Sequence, residues 1–201
     1  MCGRFYVEIE ESELREIIDD IESQYGDVQI KMGEVAPTNT APVLTYVDGH
    51  VKAMPMYWGL PRWKGSGVIF NSRAETTLEK NMFRKSLLER PILIPTSGFF
   101  EWTAIEGKKK KDMYKFNDPN SSITYLAGFY NTYDSAKDGL LKDRFTILTR
   151  EPNASVLPYH DRMPIVIPKE DKLGWLSGER LQYYLDRVPD ELRVELYRAT
   201  S

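Results

Sequence analysis

The sequence predicts an α+β fold: one domain over residues 1–201, built on a mainly antiparallel, barrel-like β-sheet with helices around it. Strand-like runs recur at short intervals between turn residues, without the regular strand–helix alternation of a parallel sheet. Twelve prolines and thirteen glycines are spread along the chain rather than gathered into a linker. A chain of 201 residues with 41% hydrophobic and 12% aromatic residues can bury one sizeable core.

The elements follow in order. Residues Cys2 to Val7 read as a short strand. From Ser12 to Tyr25, Leu14, Ile17, Ile18, Ile21 and Tyr25 recur at helical spacing with acids opposite, an amphipathic helix that Gly26 ends. The prolines and small polar residues of Val35 to Val43 predict an extended loop. Val43 to Val47 and Val51 to Trp58 then flank Asp48-Gly49, a two-residue hairpin signal.

Thr76 with Glu79 has the capping-box spacing, predicting a helix that runs to about Glu89, buries Leu78, Met82, Phe83 and Leu87, and stops before Pro91. Ile92 to Ile94, Met113 to Asn117, Ile123 to Tyr130 and Arg144 to Thr149 supply further strands, and Ile165 to Ile167 is an apolar run. Glu106-Gly107 and the lysines that follow read as a hairpin tip. From Lys169 onward helical patterns alternate with turns at Gly178 and Pro189, predicting a helical tail packed through Trp175, Leu176, Leu181, Leu185, Leu192 and Leu196.

Composition excludes several functional classes. Cys2 is the only cysteine, so no internal disulfide and no cysteine-based zinc cluster is possible. His50 and His160, the only histidines, lie far apart in sequence, and neither a metal nor an organic cofactor is expected. No run approaches the roughly 18 apolar residues of a membrane span, and the basic-then-apolar pattern of a signal peptide is missing, so a cytoplasmic protein is expected. A monomer is expected as well. With a net charge of −3, any contact with nucleic acid needs a local basic groove.

Cys2 directly follows the initiator methionine, which aminopeptidases remove when the next residue is small. The mature chain is then expected to begin with a 1,2-aminothiol. Its α-amine, with a reference pKa near ~7.7–8.0 against ~10.4 for lysine, is substantially unprotonated at neutral pH and can attack an aldehyde; the thiol can then close a thiazolidine ring. The same group could instead serve as an N-terminal nucleophile toward an acyl carbon.

Glu101 lies inside the aromatic run Gly98 to Trp102, where burial would raise its pKa toward the range a neutral-pH proton shuttle needs. His160, between Tyr159 and Asp161, is either a loop hydrogen-bonding residue or an acid/base group. Trp63, among turn residues and cations, either anchors a loop or offers a stacking platform for a nucleobase. Arg84 and Lys85 face solvent or phosphates.

Taken together, MCGRF at the start, the VAPT loop, WGLPRW, NSRAET, GFFEW, LAGFY and HDRMPIVI resemble the SOS-response-associated peptidase (SRAP) family, the abasic-site-processing proteins. The motifs stand in the family's order from residue 1 to about 167. The resemblance implies a single SRAP domain that binds single-stranded DNA and crosslinks its N-terminal cysteine to an abasic site, shielding the strand from cleavage. It implies Cys2 as nucleophile, Asn71 as the residue orienting its amine, Glu101 as acid/base and His160 as an aid to proton transfer. Arg4, Trp63, Arg73 and Arg84 are implied to line the DNA channel. Two rival readings are a peptidase with an N-terminal cysteine nucleophile and a non-catalytic DNA-binding module.

Overall fold

The computed structural model describes residues 2–8, 10, 12–62, 64–104, 111–133 and 142–199. Strand β1 (Phe5–Val7) and helix α1 (Ser12–Tyr25) come first, then β2 (Gly33–Val35), β3 (Thr40–Val47) and β4 (His50–Trp58). Short strands β5 (Leu60–Pro61), β6 (Val68–Ile69) and β7 (Asn71–Arg73) lead into helices α2 (Ala74–Thr77) and α3 (Asn81–Glu89). Strands β8 (Pro91–Thr96), β9 (Gly98–Ala104), β10 (Lys111–Asn117), β11 (Thr124–Thr132) and β12 (Asp143–Arg150) form the middle of the chain. After β13 (Met163–Pro164) and β14 (Val166–Ile167), a 3-10 turn (Lys169–Asp171) precedes α4 (Lys172–Leu176), α5 (Leu181–Asp186) and β15 (Arg193–Arg198).

The strands form two main sheets. One is antiparallel, in the order β15-β10-β9-β1-β2. The other curls into a ring of β4, β3, β8, β11 and β12, closed because β12 pairs with both β11 and β4. The expected barrel-like sheet is therefore present, although not as a strictly antiparallel barrel: β12 runs parallel to β4 and to β7.

Alternation along the ring strands divides their side chains between two cores, as a period of two requires. Ile92, Ile94, Leu126, Phe145 and Ile147 face inward toward Phe5, Phe99 and Phe116 of the other sheet. Leu93, Tyr125, Ala127, Phe129 and Leu148 face outward and are covered by Leu14, Ile21, Leu87, Trp175 and Tyr184 from the helices. Being buried on both faces explains why β8 reads as a continuous apolar run.

Local chemistry accounts for the turns. Asp48 and Gly49 both adopt positive φ, 51° and 82°, as a tight hairpin between β3 and β4 demands. At Gly98 (φ 136°) a Cβ would stand 2.6 Å from the Phe116 carbonyl, so only glycine lets β9 approach β10 this closely.

Several expectations are corrected. Met82, expected in the buried stripe, is exposed, and the loop expected over Val35 to Val43 shrinks to the residues between β2 and β3. Thr76 and Glu79 form no capping box: the segment breaks into α2 and α3, the N-cap of α3 is Lys80, and that cap makes no side-chain bond. Thr77 instead turns its hydroxyl back to the Arg73 carbonyl (2.6 Å) and toward Ser72 Oγ (2.7 Å), which ties α2 to β7. The tail, moreover, does not end in helix. Trp175, Leu176, Leu181 and Leu192 are buried, but Leu196 is exposed on β15, an edge strand paired with β10. The proposed hairpin tip at Glu106-Gly107 lies outside the described residues.

A polar network fastens α1 to the start of α4. Glu13 accepts from Lys169 Nζ (2.5 Å), Lys172 Nζ (3.2 Å) and the Tyr125 hydroxyl (2.5 Å). Burial alone would raise its pKa, but these three donors outweigh it and hold Glu13 down at about 2. A carboxylate whose folded pKa is depressed stabilises the fold above its unfolded pKa, here 4.5, and loses that contribution as pH falls toward 2. Glu13→Gln is expected to cost about 1–3 kcal/mol at neutral pH. In thermal melts across pH, its deficit against wild type should shrink steadily below the usual carboxylate range.

Candidate active site

Four elements converge on Cys2. Strand β1 begins just beyond it, and the Phe100 amide of β9 donates to the Arg4 carbonyl (2.9 Å), which brings Glu101 alongside the start of the chain. Parallel pairing with β12 (Ile147 opposite Asn71) presents β7, and Asn71 Nδ2 donates to the Cys2 carbonyl (2.8 Å). His160 follows a turn held by Asn153, with its amide donating to the Val156 carbonyl (3.1 Å), and its Nε2 lies 3.8 Å from Glu101 Oε2. Residues 2, 71, 101 and 160, scattered in sequence, thus share one site.

Aromatic packing fixes this arrangement from behind. Trp58 stacks parallel to Phe145 (6.1 Å between centroids), lies 4.9 Å from Phe5, and donates its indole N–H to the Phe70 carbonyl (2.9 Å). Phe70 immediately precedes Asn71, so the buried indole locks the backbone that carries the amide. The VAPT loop reaches the same strand end: Thr38, at φ 78°, donates to the Trp58 carbonyl (2.8 Å), and Trp58 donates to the Asn39 carbonyl (2.9 Å).

Burial is the leading electrostatic influence on the site. Burial pushes Glu101 up to about 7, helped by Asp161, while the amino-terminal charge and Lys111 pull the other way. Burial, with the Glu101 carboxylate adding to it, drives the Cys2 thiol well above the ordinary thiol range. Burial, with the positive amino terminus, lowers His160, and Asp161 opposes the shift. The amino-terminal charge acts on all three groups. Asn71 Oδ1 is buried and has no hydrogen-bond partner among the described residues, a vacant acceptor beside Cys2.

The cations implied to line a DNA channel differ in their circumstances. Arg73 is exposed and lines an open groove of about 540 Å³ with Ile69, Asn71, Lys80, Met82 and Phe83. Arg84 is exposed on α3 and is not part of that lining, where Lys80 stands instead. Arg4 is bound to Glu34 (2.8 Å), which also holds Arg198 (2.5 Å), and its guanidinium lies over the Trp102 ring. Trp63 lies outside the described residues.

Sequence reasoning missed Glu75. Arg162 donates to both Glu75 oxygens (2.8 and 2.9 Å) and to the Thr149 carbonyl (2.7 Å), joining α2, just beyond β7, and β12 to the loop that carries His160. Both residues lie in recognisable motifs, but no local pattern links positions 87 residues apart. Among the described residues, no group of three or more His, Cys, Asp or Glu side chains is placed to hold a metal ion. No helix among them is long and apolar enough to cross a membrane.

Comparison with known proteins places this site in context. The family model "SOS response associated peptidase (SRAP)" matches residues 1–199. The chain is 34% identical over 189 residues to the abasic site processing protein YoqW of Bacillus subtilis, covering 88% of this chain and 80% of that one. It is 28% identical over 183 residues to the abasic site processing protein YedK of Escherichia coli, covering 89% and 81%. A solved structure of a Bacteroides thetaiotaomicron protein shares the fold, with a TM-score of 0.78 at 22% identity, covering 98% of this chain and 92% of that one. By a family match that spans almost its whole length, the chain belongs to the SOS response associated peptidase family.

Proposed function

We propose that this protein captures abasic sites in single-stranded DNA by forming a covalent thiazolidine with Cys2 once Met1 is removed. One observation carries the reading: Cys2 stands beside a vacant buried acceptor, Asn71 Oδ1, and a carboxyl tuned to about 7, Glu101, which lies 3.8 Å from His160. The relatives' names, abasic site processing proteins, support the same substrate.

The chemistry proceeds in balanced steps. An abasic deoxyribose is mostly a closed hemiacetal, and opening it moves a proton from the anomeric hydroxyl to the ring oxygen, which Glu101 and His160 relay. Asn71 Oδ1 accepts from the Cys2 amine and orients its lone pair. The amine adds to the aldehyde carbon and water leaves to give the imine. Sulfur then adds to the imine carbon while the thiol proton passes to nitrogen, so one water is released overall. Arg73 and Lys80 along the groove hold phosphates without reading sequence.

The thiol's condition favours this course over peptide cleavage. A peptidase cysteine needs accessible thiolate, and Cys2 is buried with its thiol held protonated. A condensation that starts from the amine needs the sulfur only for the later, intramolecular ring closure, in which the thiol proton passes to the imine nitrogen. The test is a denaturing gel after incubation with single-stranded DNA bearing one abasic site: a heat-stable shifted band supports capture, whereas Cys2-dependent turnover of a peptide without a band supports the peptidase.

A further inference from the structure

We infer that Glu75 and Arg162 are positioning residues that hold His160 in one tautomer, with its proton on the nitrogen facing Glu101; the inference rests on the capture reading for its functional consequence. The Arg162 amide donates to His160 Nδ1 (2.9 Å), so Nδ1 is an acceptor and the neutral ring carries its hydrogen on Nε2. That nitrogen is the one 3.8 Å from Glu101 Oε2. Among the charged groups that act on His160 are Glu101, Asp161, Lys111 and the amino terminus.

The amide can orient the ring only if it is itself fixed, and both sides of Arg162 are. On the chain side, Met163 enters β13 and pairs with Arg150 of β12. On the side-chain side, the Arg162 side chain is 12% exposed, and its guanidinium forks onto both Glu75 oxygens while a third bond reaches the Thr149 carbonyl. A bidentate fork fixes direction as well as distance. Thr149 is also opposite Arg73 in the β12–β7 pairing, so the same clamp joins the strand carrying Asn71 to the loop carrying His160.

A competing contact exists: Asp161 Oδ1 lies 2.8 Å from the same Nδ1. One nitrogen cannot accept from the amide and donate to the carboxylate together. The amide prevails in the neutral ring because it belongs to a clamped backbone, whereas the Asp161 side chain is 88% exposed and turns away at little cost. Protonation of the ring would reverse the choice, so the clamp also opposes protonation at Nδ1.

The test uses the two histidines of the full chain, distinguished by a His50→Gln control. In long-range 15N–1H spectra recorded above the histidine range, His160 is expected to show hydrogen on Nε2 and a bare Nδ1. Glu75→Gln, at a partly exposed position where an amide is tolerated, should mix the tautomers. It should also slow single-turnover crosslinking about 10- to 100-fold with strand affinity unchanged, the scale of a misplaced reacting group. Arg162→Lys, which keeps the charge but loses the fork, should do the same to the spectrum. An unmoved tautomer in both variants, or a shifted tautomer with an unchanged rate, overturns the inference. A wild type that forms no crosslink defeats the capture reading instead, and the spectra still decide whether the clamp sets the tautomer.

Discussion

Cys2→Ala is expected to abolish covalent capture of abasic DNA while leaving strand binding within a few-fold of wild type. Alanine keeps the α-amine, so the imine can still form, but without sulfur nothing closes the ring, and an imine hydrolyses in water. The side chain is wholly buried in the cluster that holds Phe5, Val7 and Trp58 and is not itself part of the groove lining, so its loss does not touch the cations that hold phosphates. Affinity measured by titration with an abasic strand, beside adduct yield on a denaturing gel, separates the two effects. Equal loss of both would remove Cys2 from the chemistry and make it a packing residue.

Glu101→Gln is expected to slow single-turnover crosslinking about 10²- to 10⁴-fold, the usual contribution of a positioned acid/base group. Glutamine matches the shape but cannot exchange a proton. In the wild type the rate should bend near pH 7, where Glu101 titrates, and the variant should lose that bend. Stability moves oppositely. A carboxyl whose folded pKa is raised from 4.5 to about 7 binds protons more tightly in the folded state, so it costs stability as pH rises through that window. The variant should therefore melt at or above the wild-type temperature in alkaline buffer. A folded variant with an unchanged rate would exclude Glu101 from the mechanism.

What the sequence revealed was whatever is written locally. The period of Leu14, Ile18 and Ile21 marked α1, whose bounds Ser12–Tyr25 agree with the reading, and Asp48-Gly49 marked its hairpin. Glu101 stood out because a carboxylate among aromatics must be exposed, paired or tuned, and it is buried and tuned. The unread parts depend on long-range partners. Glu75 looks like any polar residue until Arg162 arrives from the loop before β13. Leu196 looks like core because the pattern of apolar residues cannot say that β10 will offer an edge to pair with. Thr76 and Glu79 had the spacing of a cap, but Thr77 found stronger partners in Arg73 and Ser72. Arg4 looked available to a phosphate, yet Glu34, thirty residues on, is bound to it.

The measurement closest to the central claim compares two forms of the protein, one beginning at Cys2 and one retaining Met1, each incubated with single-stranded DNA containing one abasic site and analysed by intact mass. The form beginning at Cys2 should give a heat-stable adduct whose mass is the sum of protein and DNA less one water, and the form retaining Met1 should give none. An adduct of equal yield and stability from the form retaining Met1, or no adduct from the form beginning at Cys2, would contradict capture by an N-terminal aminothiol.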